Sequence, residues 1–342
     1  MTSSSKYRSR MIANTVIDLS ISYQRENLLA RGLGLEHLRE LLVRLARPLL
    51  RQAASLAYGG RWKESEDNFT FDLLRLISAE QEDNSLGGPD TNLSIGRLVS
   101  HCPWPEYLEV TPRIEAQWIN CCRIVRVTQQ DAGIGAPDQV PDGEAGNGSD
   151  RAVFNSALTL SAMRRLAMDG MTIDLPGLAS PEFVPPIMAR VVLGGKTTGF
   201  HGFLPGIFEE ALVALERRRP LYVLGGFGGA AEVLAGALLA RGPDRPQALV
   251  LDALRAGNPG LDRLIGLATR FALPAGGRAS AEALDALFAL VDKARGNLPA
   301  VLNTGLDEIE TREMLTTCDV SRAVQLVRKG LTATLGLGAL AE

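Results

Sequence analysis

The stretch Ala189–Glu210, ARVVLGGKTTGFHGFLPGIFEE, holds the pattern that decides the fold. Its first five residues, Ala189–Leu193, are apolar except for Arg190 and include adjacent valines, which is typical of a strand. The pair Gly194-Gly195 ends this run, and a helical pattern extends from Gly206 to Arg218. A strand that ends in glycine and leads through a loop into a helix is the unit from which parallel α/β sheets are built.

The same unit recurs on both sides of this stretch. Strands are predicted at Ser55–Tyr58, before Gly59-Gly60, and at Leu221–Leu224, before Gly225-Gly226. Alternating or apolar runs and 3.6-residue periodicity predict further strands at Val16–Ser22, Gly96–Cys102 and Arg123–Thr128, and further helices at Leu35–Leu50, Phe69–Ala79, Arg151–Met168, Gly228–Arg241, Leu261–Phe271, Ala279–Ala294 and Val320–Gly330. This alternation predicts an α/β fold with a parallel sheet flanked by helices, followed by a helical C-terminal extension.

The chain divides into three predicted parts. Residues 1–10 are Ser-rich and basic and are expected to be a flexible N-terminus, residues 11–255 form the α/β domain, and residues 256–342 form the helical extension. Within the domain, residues 131–150 are rich in glycine, proline and aspartate and have almost no large apolar side chains. This composition predicts a mobile loop.

Composition narrows the possible functions. The 342 residues include 36 basic and 39 acidic side chains, for a net charge of −3, and no basic run is present. This balance argues against a nucleic-acid partner. No apolar run is long enough to span a membrane, and the first apolar run is broken by polar residues, so we expect a cytoplasmic protein without a secretory signal or a membrane partner.

The cysteines and histidines do not form a recognisable metal motif. Cys102, Cys121, Cys122 and Cys318 contain no Cys-x-x-Cys pair, and the chain has only three histidines. We therefore predict no metal site and no bound cofactor.

Glycine pairs mark the candidate ligand site. In a parallel sheet, ligands bind where strands end and helices begin, and glycine lets the backbone approach a phosphate closely. A tight turn alone is the competing explanation for each pair. The expected ligand contacts are the three pairs and the polar residues that follow the second of them: Gly59, Gly60, Gly194, Gly195, Gly225, Gly226, Lys196, Thr197 and Thr198.

Three motifs together resemble those of the SLOG superfamily. They are Tyr58-Gly59-Gly60, the helix Ala162–Met168 (AMRRLAM) and the loop Pro205–Glu210 (PGIFEE), in the same order as the Y-G-G, M-x-x-R-K-x-x-M and P-G-G-x-G-T-x-x-E of the LOG enzymes. The superfamily joins the LOG cytokinin-activating phosphoribohydrolases, the DNA-processing protein DprA and nucleotide sensors of bacterial conflict systems. The resemblance covers residues 12–250 in layout, and the chain looks most like the conflict-system members.

The resemblance implies a Rossmann-like nucleotide-binding domain over residues 11–255. It places Arg164 at the ribose and phosphate, Gly206 in the phosphate loop, and Glu210 or its neighbour Glu209 as the catalytic carboxylate. Successive helical residues diverge by about 100°, so one glutamate is expected to face the pocket and the other the solvent, and likewise for Arg164 and Arg165.

The sequence departs from the LOG pattern at two places. Ser22-Tyr23 replaces the expected Gly-Ser after the first strand, and Ile207 stands where the LOG loop has threonine. Lys196, Thr197 and Thr198 are candidates to supply the missing phosphate contact instead. The departures leave a nucleotide pocket in place and put the hydrolase chemistry in doubt.

Three functions are compatible with these observations. The first is a sensor that binds a nucleotide or NAD-derived molecule, with a separate effector protein. The second is a nucleotide N-glycosidase, in which a carboxylate stabilises an oxocarbenium-like transition state and an arginine anchors the phosphate. The third is a non-catalytic structural protein with a degenerate site. The resemblance also implies a homo-oligomer.

Overall fold

The computed structural model describes residues 15–63, 65, 68–85, 97–174, 180–242 and 244–337. The predicted flexible N-terminus, residues 1–10, lies outside the described residues. So do residues 338–342, the end of the predicted C-terminal extension.

The described part of the chain contains eight strands, which include every predicted one: β1 (Val16–Ile21), β2 (Ser55–Ala57), β3 (Leu98–Pro103), β4 (Cys122–Val127), β5 (Met171–Ile173), β6 (Glu182–Val184), β7 (Ile187–Leu193) and β8 (Leu221–Leu224). Six of them form one parallel sheet in the order β4-β3-β2-β1-β7-β8, and β5 and β6 form a separate antiparallel pair. Helices flank the sheet, so the predicted Rossmann-like α/β fold is confirmed.

The same described residues contain thirteen α-helices: α1 (Arg25–Leu29), α2 (Leu35–Arg51), α3 (Thr70–Ser85), α4 (Pro112–Trp118), α5 (Asp150–Asp169), α6 (Gly206–Glu216), α7 (Gly229–Leu239), α8 (Leu251–Ala256), α9 (Pro259–Arg270), α10 (Ser280–Arg295), α11 (Leu298–Leu302), α12 (Glu308–Thr316) and α13 (Val320–Leu335). All the predicted helices are among them. The helices that sequence analysis missed are short, since a helical period needs a window of about 11 residues to stand out.

The order in which the chain adds strands to the sheet reverses at β1. The chain adds β2, β3 and β4 on one side of β1, then returns to place β7 and β8 on the other side. Asp18 of β1 lies opposite Arg190 of β7 in the parallel register. In open α/β sheets, a crevice forms at the carboxyl ends of the strands at such a switch point.

Glycines allow the loops after β7 and β8 to meet backbone to backbone. The Gly194 and Gly195 carbonyls accept hydrogen bonds from the N–H groups of Ala231 and Ala230, at 2.8 and 2.9 Å. Gly229 has a φ of +70°, and a Cβ there would overlap the backbone of Gly194 and Gly195. These two carbonyls therefore satisfy the first N–H groups of α7. The close approach of the two loops explains why glycines stand at these positions.

The helices after residue 255 join the same hydrophobic core as the sheet. Helix α13 packs on α2, and α12 packs on β8. The Tyr222 hydroxyl of β8 donates a hydrogen bond to the Thr304 carbonyl at 3.0 Å. Among the described residues, no helix combines the length and apolar character that crossing a membrane requires.

The stretch 131–150, predicted as a mobile loop, has two 3₁₀ turns and several contacts with the rest of the protein. Ile134 and Val140 are buried, and the Gln129 side chain bonds both backbone groups of Val140. The Trp104 indole donates to Asp142 at 2.9 Å. The few apolar residues in this stretch are the ones that hold it to α5 and β4.

We expect G229A to be much less stable than G32A. Gly32 has nearly the same φ, +69°, but no atom lies within 4 Å of a Cβ there. Both substitutions incur about 1–2 kcal/mol for a left-handed alanine. G229A additionally forces the two loops apart, which adds roughly 1–3 kcal/mol. Urea unfolding of both variants measures the difference, and equal losses would show that the backbone contact is not tight.

Candidate functional site

A cleft of about 340 Å³ opens at the carboxyl ends of β1 and β7. Its walls come from β1, β3, β7, α5, α6 and the loop between β7 and α6. The site therefore lies at the switch point of the sheet, where the fold favours ligand binding.

Arg164 stands at the centre of one wall. It extends from α5 and is 7% exposed. Its Nη1 pairs with Glu209, and its Nε lies 3.7 Å from Glu210 Oε1. Burial lowers the pKa of Arg164, but these two carboxylates outweigh burial and hold its pKa above the ordinary value. A side chain larger than glycine at 206 would press on this guanidinium, so Gly206 makes room for Arg164.

Glu209 and Glu210 of α6 do not face the two environments, pocket and solvent, that sequence analysis predicted for them. Glu210 lines the cleft, and its Oε2 is buried without a hydrogen-bond partner among the described residues. Glu209 was expected to face solvent if Glu210 faced the pocket, and this is wrong. It is 8% exposed and lies behind Arg164, beside a second cavity on the far side of α6. The salt bridge to Arg164 holds it inside.

The two arginines do lie on opposite sides of α5. Arg164 lines the cleft, whereas Arg165 is half-buried and lines the cavity that Glu209 also borders. The helical offset predicted that the two point in different directions, with the second one facing the solvent, but Arg165 is instead half-buried beside this second cavity.

Some of the predicted ligand contacts line the cleft, and others do not. Gly59, Gly60, Gly195, Lys196 and Gly206 are at its surface. Lys196 is exposed, and no carboxylate among the described residues pairs with it.

Two of the remaining predicted glycines, Gly225 and Gly226, face the C-terminal helices instead. A Cβ at Gly225 would overlap the Leu315 carbonyl, and one at Gly226 would overlap the Thr317 carbonyl. Close packing against the end of α12 thus explains this pair, and the structure does not bring it to the cleft. Gly194 is also outside the cleft lining, because it lies beneath the loop against the Ser22 carbonyl.

The two threonines of the loop also face the C-terminal helices. The Thr197 carbonyl accepts a hydrogen bond from Asn258 Nδ2 at 3.1 Å, and the Thr198 side chain lies beside Gly257. Asn258 is 4% exposed, and its Oδ1 accepts from the Phe200 N–H at 3.3 Å. The C-terminal helices therefore hold the loop that forms one side of the cleft.

Sequence analysis missed the residues on the floor of the cleft. Asp18, His101 and Arg190 are 5%, 6% and 3% exposed and come from β1, β3 and β7. Arg190 Nε lies 2.6 Å from Asp18 Oδ2. The signal that could have found them is a charged residue inside an apolar strand, because burying a charge is costly unless it is paired.

The buried floor shifts the pKa values of two side chains. Burial raises the pKa of Asp18 to about 7, although Arg190 acts in the opposite direction. Burial, and then the charge of Arg190, lower the pKa of His101 to about 4. His101 Nε2 and Arg190 Nη1 have no hydrogen-bond partner among the described residues. The floor therefore offers two nitrogens without a protein partner, a guanidinium that can only donate and an imidazole nitrogen that donates or accepts according to its tautomer.

A neighbouring cavity of about 450 Å³ continues the cleft. The two share Arg61, Glu106 and His201, and α9 forms part of the far wall. In the part of the chain that the structure describes, no three side chains of His, Cys, Asp or Glu are grouped as a metal site would need.

We expect H101Q to change how stability depends on pH. Below about pH 6.5 the unfolded chain binds a proton at His101, and the folded chain does so only near pH 4, so His101 contributes stability that is lost as the pH falls between these values. The contribution of Asp18 to stability depends on pH in the opposite direction. Its pKa in the folded protein, about 7, exceeds the ordinary 3.8, so this contribution is lost as the pH rises. The two trends oppose each other in the wild type.

Of these two pH-dependent contributions to stability, H101Q keeps only that of Asp18. Relative to the wild type, the free energy of unfolding of H101Q should therefore fall as the pH rises from about 4 to about 6.5. Urea unfolding across this range measures it, since all other titrating groups cancel in the difference. Parallel profiles for the two proteins would contradict the buried, neutral state of His101.

Comparison with known proteins gives one positive finding. A model of the SLOG cluster2 family matches residues 11–314, which is most of the chain. No curated protein sequence matches the chain.

Proposed function

Since the chain belongs to the SLOG cluster2 family, whose Rossmann-like domain is nucleotide-related, we propose that the cleft binds a small phosphorylated nucleotide-type ligand. One observation carries the proposal. Arg164 is buried between two carboxylates in the wall of a switch-point cleft, and one of these carboxylates, Glu210, lines the cleft and has a buried oxygen, Oε2, without a hydrogen-bond partner among the described residues. A buried acceptor without a partner indicates a ligand donor.

The phosphate fits the mouth of the cleft. Helix α6 begins there at Gly206, and Pro205 before it supplies no side-chain cap. The first N–H groups of a helix have no partner within the helix, and together with the helix dipole they attract anions. Lys196 and Arg61 add positive charge to the cleft, and neither forms a salt bridge within 4.0 Å among the described residues, although Glu106 is near enough to Arg61 for the charges to interact.

The sugar fits beside Arg164 and Glu210. A ribose hydroxyl can donate to Glu210 Oε2, while Arg164, whose Nε lies 3.7 Å from Glu210 Oε1, orients this carboxylate. Because a hydroxyl donor to a buried carboxylate is a charge-assisted bond, this contact supplies both affinity and orientation.

Binding without turnover is favoured by Ile207. This residue stands where the LOG loop has threonine, and it is buried against Gly195 at the edge of the cleft. An apolar side chain there offers no hydroxyl to a phosphate. We therefore favour a sensor that works in a bacterial conflict system as a homo-oligomer with a separate effector protein.

An N-glycosidase is the second candidate function. Glu210 is the observation that favours it, since a carboxylate in the lining of the cleft is the group that would stabilise an oxocarbenium-like sugar. Arg164 would hold the glutamate in place in either function.

We expect E210Q to weaken nucleotide binding about tenfold or more. The substitution keeps the size of the side chain but replaces a charged acceptor with a neutral one, and a hydrogen bond to a charged group is worth about 1.5–3 kcal/mol. Isothermal titration calorimetry with nucleoside monophosphates measures the loss. E216Q is the matched control, because Glu216 lies on the same helix outside the cleft and should leave affinity unchanged.

Release of free base separates the two functions. Wild-type protein is incubated with nucleoside monophosphates and NAD, and the products are separated by chromatography. The sensor predicts no free base together with a ligand-dependent rise in melting temperature. Base release that is lost in E210Q would establish the glycosidase instead, and the absence of both signals would refute a nucleotide site.

A further inference from the structure

The floor of the cleft holds two deeply buried side chains with free hydrogen-bonding atoms. Arg190 and His101 line the cleft, and Arg190 Nη1 and His101 Nε2 are buried without a hydrogen-bond partner among the described residues. Leaving such groups unpaired in a protein interior is costly, so two of them on residues that line one cleft indicate ligand atoms that complete them.

The floor and the mouth differ in charge. At the floor, Asp18 Oδ2 lies 2.6 Å from Arg190 Nε and offsets charge of the guanidinium. At the mouth, neither Lys196 nor Arg61 forms a salt bridge within 4.0 Å among the described residues. A phosphate dianion therefore belongs at the mouth, and the uncharged end of the ligand belongs at the floor.

Ala57 leaves space for a flat group above the sheet. It lies in the strand between β1 and β3 and pairs with Asp18 in the register. Its small side chain separates Asp18 and Arg190 on one side from His101 on the other, and all four residues line the cleft. A planar ring can lie over Ala57 with its edge toward Arg190.

Resting on the proposed function, we infer that this floor reads the base of the nucleotide and selects a base with an oxo group over one with an amino group. Arginine is a donor only and cannot accept a hydrogen bond. The O6 of hypoxanthine or guanine accepts from it, whereas the N6 amino group of adenine presents a second donor. His101 can adapt through its two neutral tautomers, so Arg190 is the discriminating residue.

Inosine monophosphate (IMP) and adenosine monophosphate (AMP) test this inference. They share the sugar and phosphate and differ at position 6 of the purine. Titration calorimetry of the wild type should give a dissociation constant for IMP about tenfold or more below that for AMP, as expected for one well-placed base contact.

Two variants localise the preference. D18N/R190Q removes both floor charges together, so no buried charge is left alone, and its amide groups can accept as well as donate. Its ratio of AMP to IMP dissociation constants should fall to near one. K196Q acts on the phosphate and should weaken both nucleotides equally, leaving the ratio of the wild type.

The outcomes distinguish the two claims. If neither nucleotide binds, the proposed function is overturned and the inference falls with it. Equal binding of both by the wild type, or tighter binding of AMP, overturns only the base selection, and so does a folded D18N/R190Q that keeps the IMP preference. If circular dichroism shows that the double variant does not fold, the comparison in the wild type decides.

Discussion

The pairing of β1 with β7 is the constraint on which the rest of this structure depends. These two strands come from distant parts of the chain, and their junction is where the sheet reverses its order. The Asp18–Arg190 ion pair spans the junction in a place where neither charge can be left alone. Because Asp18 and Arg190 also line the cleft, the same junction that completes the sheet forms the floor of the cleft.

The alternation of strands and helices could be predicted from the sequence because each element has its own hydrophobic period. The apolar stripe of α2 and the apolar residues of β7 can be recognised without knowledge of their neighbours. The position of β7 beside β1 was not readable, since strand order depends on contacts between distant residues. The short β5–β6 hairpin and the short helices of the C-terminal region give too few residues for a period to emerge.

The site could be predicted only where local sequence carries its chemistry. Arg164, Glu210 and the glycines of two loops stand in recognisable motifs, and the structure brings them to one cleft. Gly225 and Gly226 looked equivalent to these in sequence, yet their role is to let α12 approach. Asp18, His101 and Arg190 lie on three strands, and nothing in the local sequence of each shows that they share one surface. These three residues are close because of the order of the strands in the sheet, which no local stretch of sequence determines.

The distance along the chain between β1 and β7 has a consequence for how the protein is made. Between Ile21, where β1 ends, and Ile187, where β7 begins, lie 165 residues. During synthesis the first four strands can associate while one edge of β1 still has no neighbour, and a bare apolar strand edge is a template for wrong association. Throughout that interval Asp18 also lacks its counter-ion. The ribosome-bound chain that ends before β7 therefore presents both an unpaired strand edge and an unpaired carboxylate at the centre of the future sheet.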